Sequence, residues 1–373
     1  VLPFLKDFRK ELKKLDNVSI EFLPPPFWYS TGNFALNKVL SGSYFKAVPQ
    51  GRLSALVGPS AAGKSYILCS IIREAQKTGA FPLVIDSENA LDPDFMRRAG
   101  INVDADKLQY AQVVTIQDVT KVISEFFNMY EKAYGKSNKE APRLLIVLDS
   151  LGNCLTDGEN EKFNKGVQTG DQGASAKNKK HLLRTLVSRL ARYNTTFVFT
   201  DQVYPQDIMM GDGPWAVTNG VKYSASQIAL LTKLKLKEDS QVVGIRMKVE
   251  TYKSRFVKPG TKIELEIPFT TGLSPTSGLL EMLLEEKILT KEGYSFVVTL
   301  DGAPIKFKKE ALTEEFARRI LTTHPALIKA ENEFEEFESN PMSATELIDP
   351  ETGEITTEGT ELPKGVRLPE DEE

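Results

Sequence analysis

Leu2, Leu5, Phe8, Leu12 and Leu15 recur at spacings of three and four, which predicts a short amphipathic helix over residues 1–15, stopped by Pro24-Pro25-Pro26. A helix of that length is marginal alone, so its apolar stripe is expected to dock on its own core or on a neighbouring subunit. From about Thr31 the pattern changes to alternating strands and helices. Strands are expected at Arg52 to Val57, Pro82 to Asp86, Leu144 to Asp149 and Thr196 to Thr200, with helices at Ser65 to Lys77, Ile116 to Tyr134 and Ala174 to Tyr193. Short, mostly apolar runs alternating with helices build a parallel sheet covered on both faces, so the expected fold is α/β with a mainly parallel, doubly wound central sheet. After Val221, alternation at Ile228 to Leu234, Val242 to Tyr252 and Lys262 to Ile267 predicts strands that extend this sheet.

This pattern divides the chain into an N-terminal oligomerisation arm and Pro-rich linker (1–30), a core (31–270), a small C-terminal α+β domain (271–335) and a polar tail (336–373). In the third of these, helices are expected near Ser277 to Lys287 and Glu310 to Leu321.

Composition excludes several function classes. No apolar run approaches the roughly 20 residues of a membrane span, and the opening segment is amphipathic and basic, unlike a signal peptide, so an intracellular protein with no membrane partner is expected. Cys69 and Cys154 form neither a disulfide framework nor a paired metal motif, and both are expected in the core. His181 and His324 are too far apart to suggest zinc. The net charge of −4 hides an asymmetry: residues 331–373 carry 15 acidic and two basic residues, which leaves the preceding 330 at about +9. A basic body suits a polyanionic partner, and the acidic tail is expected to stay solvated or to compete for the same surface.

The chemistry concentrates at Gly58-Pro59-Ser60-Ala61-Ala62-Gly63-Lys64-Ser65, which fits G-x-x-x-x-G-K-[ST] at every fixed position between a strand and a helix. Glycines let backbone N–H groups curl around phosphate, Lys64 supplies charge to the β and γ phosphates, and the Ser65 hydroxyl is placed to hold Mg²⁺. Asp149, ending an apolar strand, is expected to bind the same ion through its water shell. Glu88 follows another strand, where it could orient or activate the attacking water.

Ile85-Asp86-Ser87-Glu88-Asn89-Ala90-Leu91-Asp92-Pro93 closely resembles the segment of bacterial RecA recombinases that carries the catalytic glutamate, and the resemblance continues in order over about residues 30–290. Phe199-Thr200-Asp201-Gln202 is similar to the strand ending in a glutamine that senses the γ-phosphate, and Lys222-Tyr223-Ser224-Ala225-Ser226 to the stretch after the second DNA loop. Leu148-Asp149-Ser150-Leu151-Gly152-Asn153, Glu250 to Arg255, the acidic tail and the short arm resemble the UvsX-type recombinases of large phages more than the bacterial proteins. The resemblance implies a RecA-like P-loop core using ATP and Mg²⁺. In it Glu88 is the catalytic carboxylate, Asp92 and Phe95 contact adenine, and Gln202 couples nucleotide to DNA. Lys253 and Arg255 reach a neighbouring protomer's ATP, where bacterial relatives have Lys-x-Lys and this chain has Lys253-Ser254-Arg255.

Two segments, about 157–171 and 203–219, correspond to the DNA loops of that family. Both are glycine-rich without strong periodicity and are expected to be mobile. Lys162 to Arg192 holds eight basic residues against one acid, Asp171, so Lys162, Lys165 and Lys177 are candidate phosphate contacts. Met209, Met210 and Trp215 are candidates for wedging between or stacking on bases. The implied function is an ATP-dependent recombinase that forms helical filaments on single-stranded DNA and pairs it with homologous duplex, in the cytoplasm of a bacterial host if phage-encoded. Its implied partners include single-stranded-DNA-binding and loader proteins. A RecA-fold helicase or motor, and a nucleotide-gated coating protein, remain alternatives.

Overall fold

The computed structural model describes residues 3–14, 24–135, 138–167, 172–205, 214–239 and 241–339. Residues 3–14 form α1 (Pro3–Lys14), in a terminal unit distinct from the body of residues 25–334.

In the body, β1 (Trp28–Tyr29) pairs antiparallel with β2 (Val48–Pro49). Between them lies α2 (Phe34–Ser41), which starts where Asn33 Oδ1 accepts from the Leu36 N–H at 2.7 Å and stops at Gly42, whose φ is 97°. β3 (Leu53–Val57) then leads through the glycine loop into α3 (Lys64–Lys77). There follow β4 (Phe81–Asp86), α4 (Pro93–Arg98), β5 (Gln109–Gln112), α5 (Ile116–Tyr134), β6 (Leu144–Asp149), α6 (Asp157–Asn164), α7 (Gln172–Arg189) and β7 (Thr195–Asp201). A short stem, β8 (Tyr204–Pro205) with β9 (Trp215–Ala216), precedes α8 (Asn219–Ser224) and the long strands β10 (Gln227–Glu238), β11 (Gln241–Ser254) and β12 (Lys262–Pro268). The C-terminal part of the body comprises α9 (Leu279–Glu285), the meander β13 (Thr290–Glu292), β14 (Ser295–Leu300) and β15 (Ala303–Phe307), α10 (Glu314–Thr323) and the start of α11 (Pro325–Ser339).

The main sheet has the order β12-β11-β10-β3-β7-β6-β4-β5. Strands β10, β3, β7, β6, β4 and β5 run parallel, and β11 and β12 extend them antiparallel. Both faces of the parallel strands are covered. Leu56, Val84, Leu145, Val147 and Val198 belong to one buried cluster with α2 and α3. Their chain neighbours Val57, Leu83, Ile146, Leu148, Phe197 and Phe199 belong to another with α5 and α7. Adjacent residues of a strand face opposite ways, so a strand covered on both sides must be apolar throughout. The apolar residues Leu280, Leu283, Val298, Leu300 and Ile320 of the C-terminal part continue the first cluster. Cys69 and Cys154 are both buried.

One local expectation is corrected. The start of the segment expected as the first mobile loop is the helix α6. The Glu159 N–H donates to Thr156 Oγ1 at 3.1 Å, and the Thr156 N–H donates to Glu159 Oε2 at 2.7 Å, a reciprocal cap that satisfies two helix-start donors. The signature Thr156-x-x-Glu159 was present in the sequence but followed by no apolar stripe, since α6 buries no residue.

Phe127 is 1% exposed and stacks on Tyr193 with ring centroids 4.7 Å apart, joining α5 to the end of the α7 segment. Phe127→Ala is expected to cost about 3–5 kcal/mol in equilibrium urea unfolding. A loss below about 1 kcal/mol would mean this face collapses around the cavity instead.

Candidate functional site

In an open parallel sheet the carboxyl ends of the strands form a crevice where ligands bind. Here β3, β7, β6 and β4 end side by side, in Val57, Asp201, Asp149 and Asp86. The residues of the phosphate-loop motif occupy the turn after β3. Pro59 is half-buried, Ser60 and Ala61 form its exposed crest, and Ala62 is buried. A side chain at Gly58 would bring its Cβ within 2.2 Å of Leu231 O on β10, so this glycine is required by the neighbouring strand as well as by any phosphate. Gly63, with φ of 91°, is the left-handed residue that opens α3.

Lys64 is buried, and its Nζ donates to Gly58 O at 2.9 Å and Pro59 O at 3.0 Å. Burial lowers its pKa, while Glu88, Asp149 and Asp201 act against that shift. The ammonium is thus held over the loop by two backbone carbonyls, and the three carboxylates favour its charged form.

Asp149 is 1% exposed. One oxygen accepts a short hydrogen bond from Thr200 Oγ1, and the other, Oδ2, is buried with no protein partner among the described residues. Burial raises the Asp149 pKa, while the neighbouring hydroxyls of Ser65 and Thr200 lower it. A buried, unsatisfied carboxylate oxygen next to the Ser65 hydroxyl fits a hard divalent cation, which would remove both the desolvation and the missing partner.

Glu88 is exposed, and its Oε1 accepts from Ser150 Oγ at 2.5 Å. Its position is set from below by Asp86, which is 0% exposed. Asp86 Oδ1 accepts from the Glu88 N–H at 2.9 Å, and Oδ2 accepts from the Leu91 N–H and from Tyr110 Oη–H, each at 3.0 Å. Further bonds lace the end of β4 to the end of β6: the Ser87 N–H donates to Asp149 O at 2.8 Å, and Ser87 Oγ donates to Ser150 O at 2.7 Å. Asp86, Ser150 and Thr200 therefore belong to the site, although sequence reasoning treated Asp86 only as a strand end and missed the other two. Their signal is weak because a polar residue after an apolar strand is common.

Asp92 caps α4, its Oδ1 accepting from the Phe95 N–H at 2.8 Å, and Phe95 lies half-buried against the first core cluster. Gln202 lies beside the turn after β6, its Nε2 donating to Asn153 Oδ1 at 3.2 Å.

Lys253 and Arg255 are not part of this edge. Lys253 pairs with Ile228 near the start of β10, and Gln227, which opens that strand, pairs with Ser54 near the start of β3. The Arg255 N–H donates to Ser226 O, so both cations lie at the amino end of the parallel strands, opposite Lys64. Lys253 Nζ donates to Lys222 O at 2.5 Å and Ala225 O at 2.8 Å, and burial lowers its pKa with a further contribution from Arg255.

Both candidate DNA segments leave the carboxyl edge. Lys162 is half-exposed on α6, and Lys165 at its end and Lys177 on α7 are exposed. Phe163, 70% exposed, stands between the first two and was not among the predicted contacts. Trp215 is half-buried on the β8–β9 stem. Met209 and Met210 lie outside the described residues.

Asp201, 4% exposed, has its pKa raised to about 6 by burial, an effect only partly offset by the Gln202 N–H, Lys179, Thr218 and Lys64. A carboxyl that holds its proton more tightly when folded stabilises the fold below its ordinary value near 4, and that contribution is lost as pH rises through about 6. Asp201→Asn is therefore expected to gain stability relative to the parent between pH 5 and pH 8, by about 1.4 kcal/mol. Urea melts at the two pH values measure it, and a difference independent of pH would contradict it.

Comparison with known proteins agrees with this geometry. The family model described as RecA N-terminal domain matches residues 27–274. Protein RecA of Leptospira meyeri is 28% identical over 318 residues, covering 84% of this chain and 75% of that protein. Protein RecA of Nautilia profundicola is 29% identical over 329 residues, covering 86% and 85%. The family match spans the glycine loop, the three strand-end carboxylates and the paired cations alike, and the chain belongs to the RecA family.

Proposed function

We propose that this chain polymerises as a helical filament on single-stranded DNA, pairs it with homologous duplex and exchanges strands, with each ATP held between adjacent protomers. As a RecA-family chain it is an ATP-dependent recombinase and a DNA-dependent ATPase that works with ATP and Mg²⁺. The observation that carries the filament reading is the separation of Lys253 and Arg255 from Lys64 across the full length of the sheet. Two cations that cannot serve their own phosphate loop suit a neighbour's.

In this reading the backbone of Gly58 to Ser65 binds the phosphates, Lys64 neutralises the β and γ oxygens, and Ser65 and Asp149 hold Mg²⁺, which supplies charge stabilisation when bound. Glu88, fixed by Ser150 and by the Asp86-anchored turn, orients the attacking water and draws its proton. Gln202 senses the γ-phosphate from the end of β7. Asp92 and Phe95 flank the base, with Asp92 also committed to its helix cap and Phe95 partly to the core. Lys162, Lys165 and Lys177 meet DNA phosphates, and Trp215 with Met209 and Met210 meets bases. The arm of residues 1–30 joins protomers, 31–270 form the ATPase core, 271–335 a small C-terminal domain and 336–373 an acidic tail. The Lys253-Ser254-Arg255 pattern and the tail's charge favour the UvsX-type subgroup, with loader and single-stranded-DNA-binding proteins as partners.

Strand invasion into supercoiled duplex tests the function, with Lys64→Ala as the inactive control. ATP hydrolysis and unwinding without homologous pairing would favour a motor instead. Glu88→Gln is expected to lower DNA-stimulated phosphate release at least about 100-fold while fluorescent-nucleotide binding persists. Glu88→Gln and the double variant Lys253→Ala/Arg255→Ala are each expected to be inactive alone and to recover activity when mixed, since a mixed boundary contains one complete site. No recovery on mixing would mean that the site lies within one protomer.

A further inference from the structure

Asp201 is the one strand-end carboxylate to which the reading above gives no task, and its contacts join three segments. Its backbone O accepts from the Gly58 N–H at 3.3 Å, which ties it to the phosphate loop. Its Oδ1 accepts from the N–H of Gln202, the next residue, at 3.0 Å. Its Oδ2 accepts from Thr218 Oγ1 at 3.2 Å. Thr218 lies beyond the stem in which Tyr204 pairs with Ala216 and Pro205 with Trp215, so the Asp201–Thr218 bond is one more rung below that stem. It closes the base of the second DNA segment.

The same carboxylate also meets the base of the first. A Cβ on Gly152 would stand 3.0 Å from Asp201 Oδ1, so the backbone there runs close enough to the carboxylate to leave little room for a side chain. Gly152 O accepts from Lys179 Nζ at 2.7 Å, and Lys179 exerts an attractive field on Asp201. Lys179 stands on α7, the helix that follows the first segment, and Gly152 lies four residues before Thr156, which caps α6. Asp201 is thus a buried carboxylate with Oδ2 bonded at the base of the second segment, Oδ1 beside the base of the first, and a backbone link to the nucleotide loop. Burying a carboxylate is costly unless its partners hold it, and those partners belong to elements that would have to move together.

We propose that Asp201 is a positioning residue that couples the nucleotide site to both DNA-facing segments, with the Thr218 hydroxyl as its clasp on the second. It touches neither nucleotide nor DNA. It makes displacement of Gln202 at the strand end and displacement of the two segment bases one event, so occupancy at one site biases the other. The inference rests on the assignment of 157–171 and 203–219 to DNA, and coupling between two sites is reciprocal.

The test uses Thr218→Val, which keeps shape and removes the donor, with Thr218→Ser as the conservative variant. Two quantities are read in the full-length protein: the ratio of ATPase rates with and without saturating poly(dT), and the ratio of poly(dT) affinities with and without a non-hydrolysable ATP analogue. Thr218→Val is expected to lower both ratios about fivefold to tenfold, to leave the DNA-free ATPase rate within twofold, and to be rescued by Thr218→Ser. A merely structural role would lower stability without selectively lowering the two ratios. Asp201→Asn, which keeps an acceptor but loses the charge that Lys179 faces, is expected to lower both ratios to a lesser degree. Unchanged ratios in Thr218→Val, with DNA stimulation intact in the parent, would overturn the inference alone. Absence of poly(dT) stimulation in the parent would overturn the DNA assignment and the inference with it.

Discussion

Three carboxylates, Asp86, Asp149 and Asp201, end the adjacent strands β4, β6 and β7 and are all buried, and two of them, Asp149 and Asp201, act on the buried Lys64. Burying like charges this close together is unfavourable unless each is supplied with donors or counter-charge. The way that requirement is met determines most of the site. Asp86 is saturated by two backbone N–H groups and a tyrosine hydroxyl, and the backbone groups it holds form the turn that carries Glu88. Asp149 is left with an oxygen that no described protein group satisfies, near Ser65, which suits it to a cation. Asp201 is satisfied by Gln202 and Thr218, at the base of the segment that follows β7.

One residue type in one kind of position thus does three different things. The difference comes from what lies above each strand end, not from the strands themselves, whose apolar residues are equivalent in pattern. Lys64 links Asp149 and Asp201 with Glu88, since all three favour its charge while burial opposes it. The opposite edge of the sheet has the complementary character, with Lys253 and Arg255 beside each other and Arg52 close by. A molecule with buried carboxylates at one edge and clustered cations at the other suits head-to-tail assembly around an anion carried with its metal. Heterologous contacts of that kind propagate into filaments when they do not close.

Much of this was legible in the amino-acid sequence. The phosphate loop needs local geometry alone, a strand, a turn of glycines and a helix start, so its motif predicted the loop residue by residue. The strands of the parallel sheet are apolar on both faces and could be read as runs, and α5 and α3 announced themselves by period. Harder to read was α6, where the capping box was written in the chain but the helix buries no residue to give it a stripe. Asp92 illustrates a different limit: one carboxylate is a helix cap and a candidate base contact at once, and only the 2.8 Å bond to the Phe95 N–H assigns the first role.

By itself, then, the sequence determined the fold class, the phosphate loop, the family and the identities of Glu88, Asp149 and Gln202 as candidates, because each depends on residues close together in the chain or on a repeated hydrophobic period. Tertiary structure alone decided what surrounds them. Ser150 meets Glu88 across 62 residues, Thr200 meets Asp149 across 51, and Leu231 fills the space that makes Gly58 obligatory. It also decided that Lys253 and Arg255 stand at the far end of the sheet from Lys64, since strand order and direction, unlike strand existence, are set by which faces must be buried together.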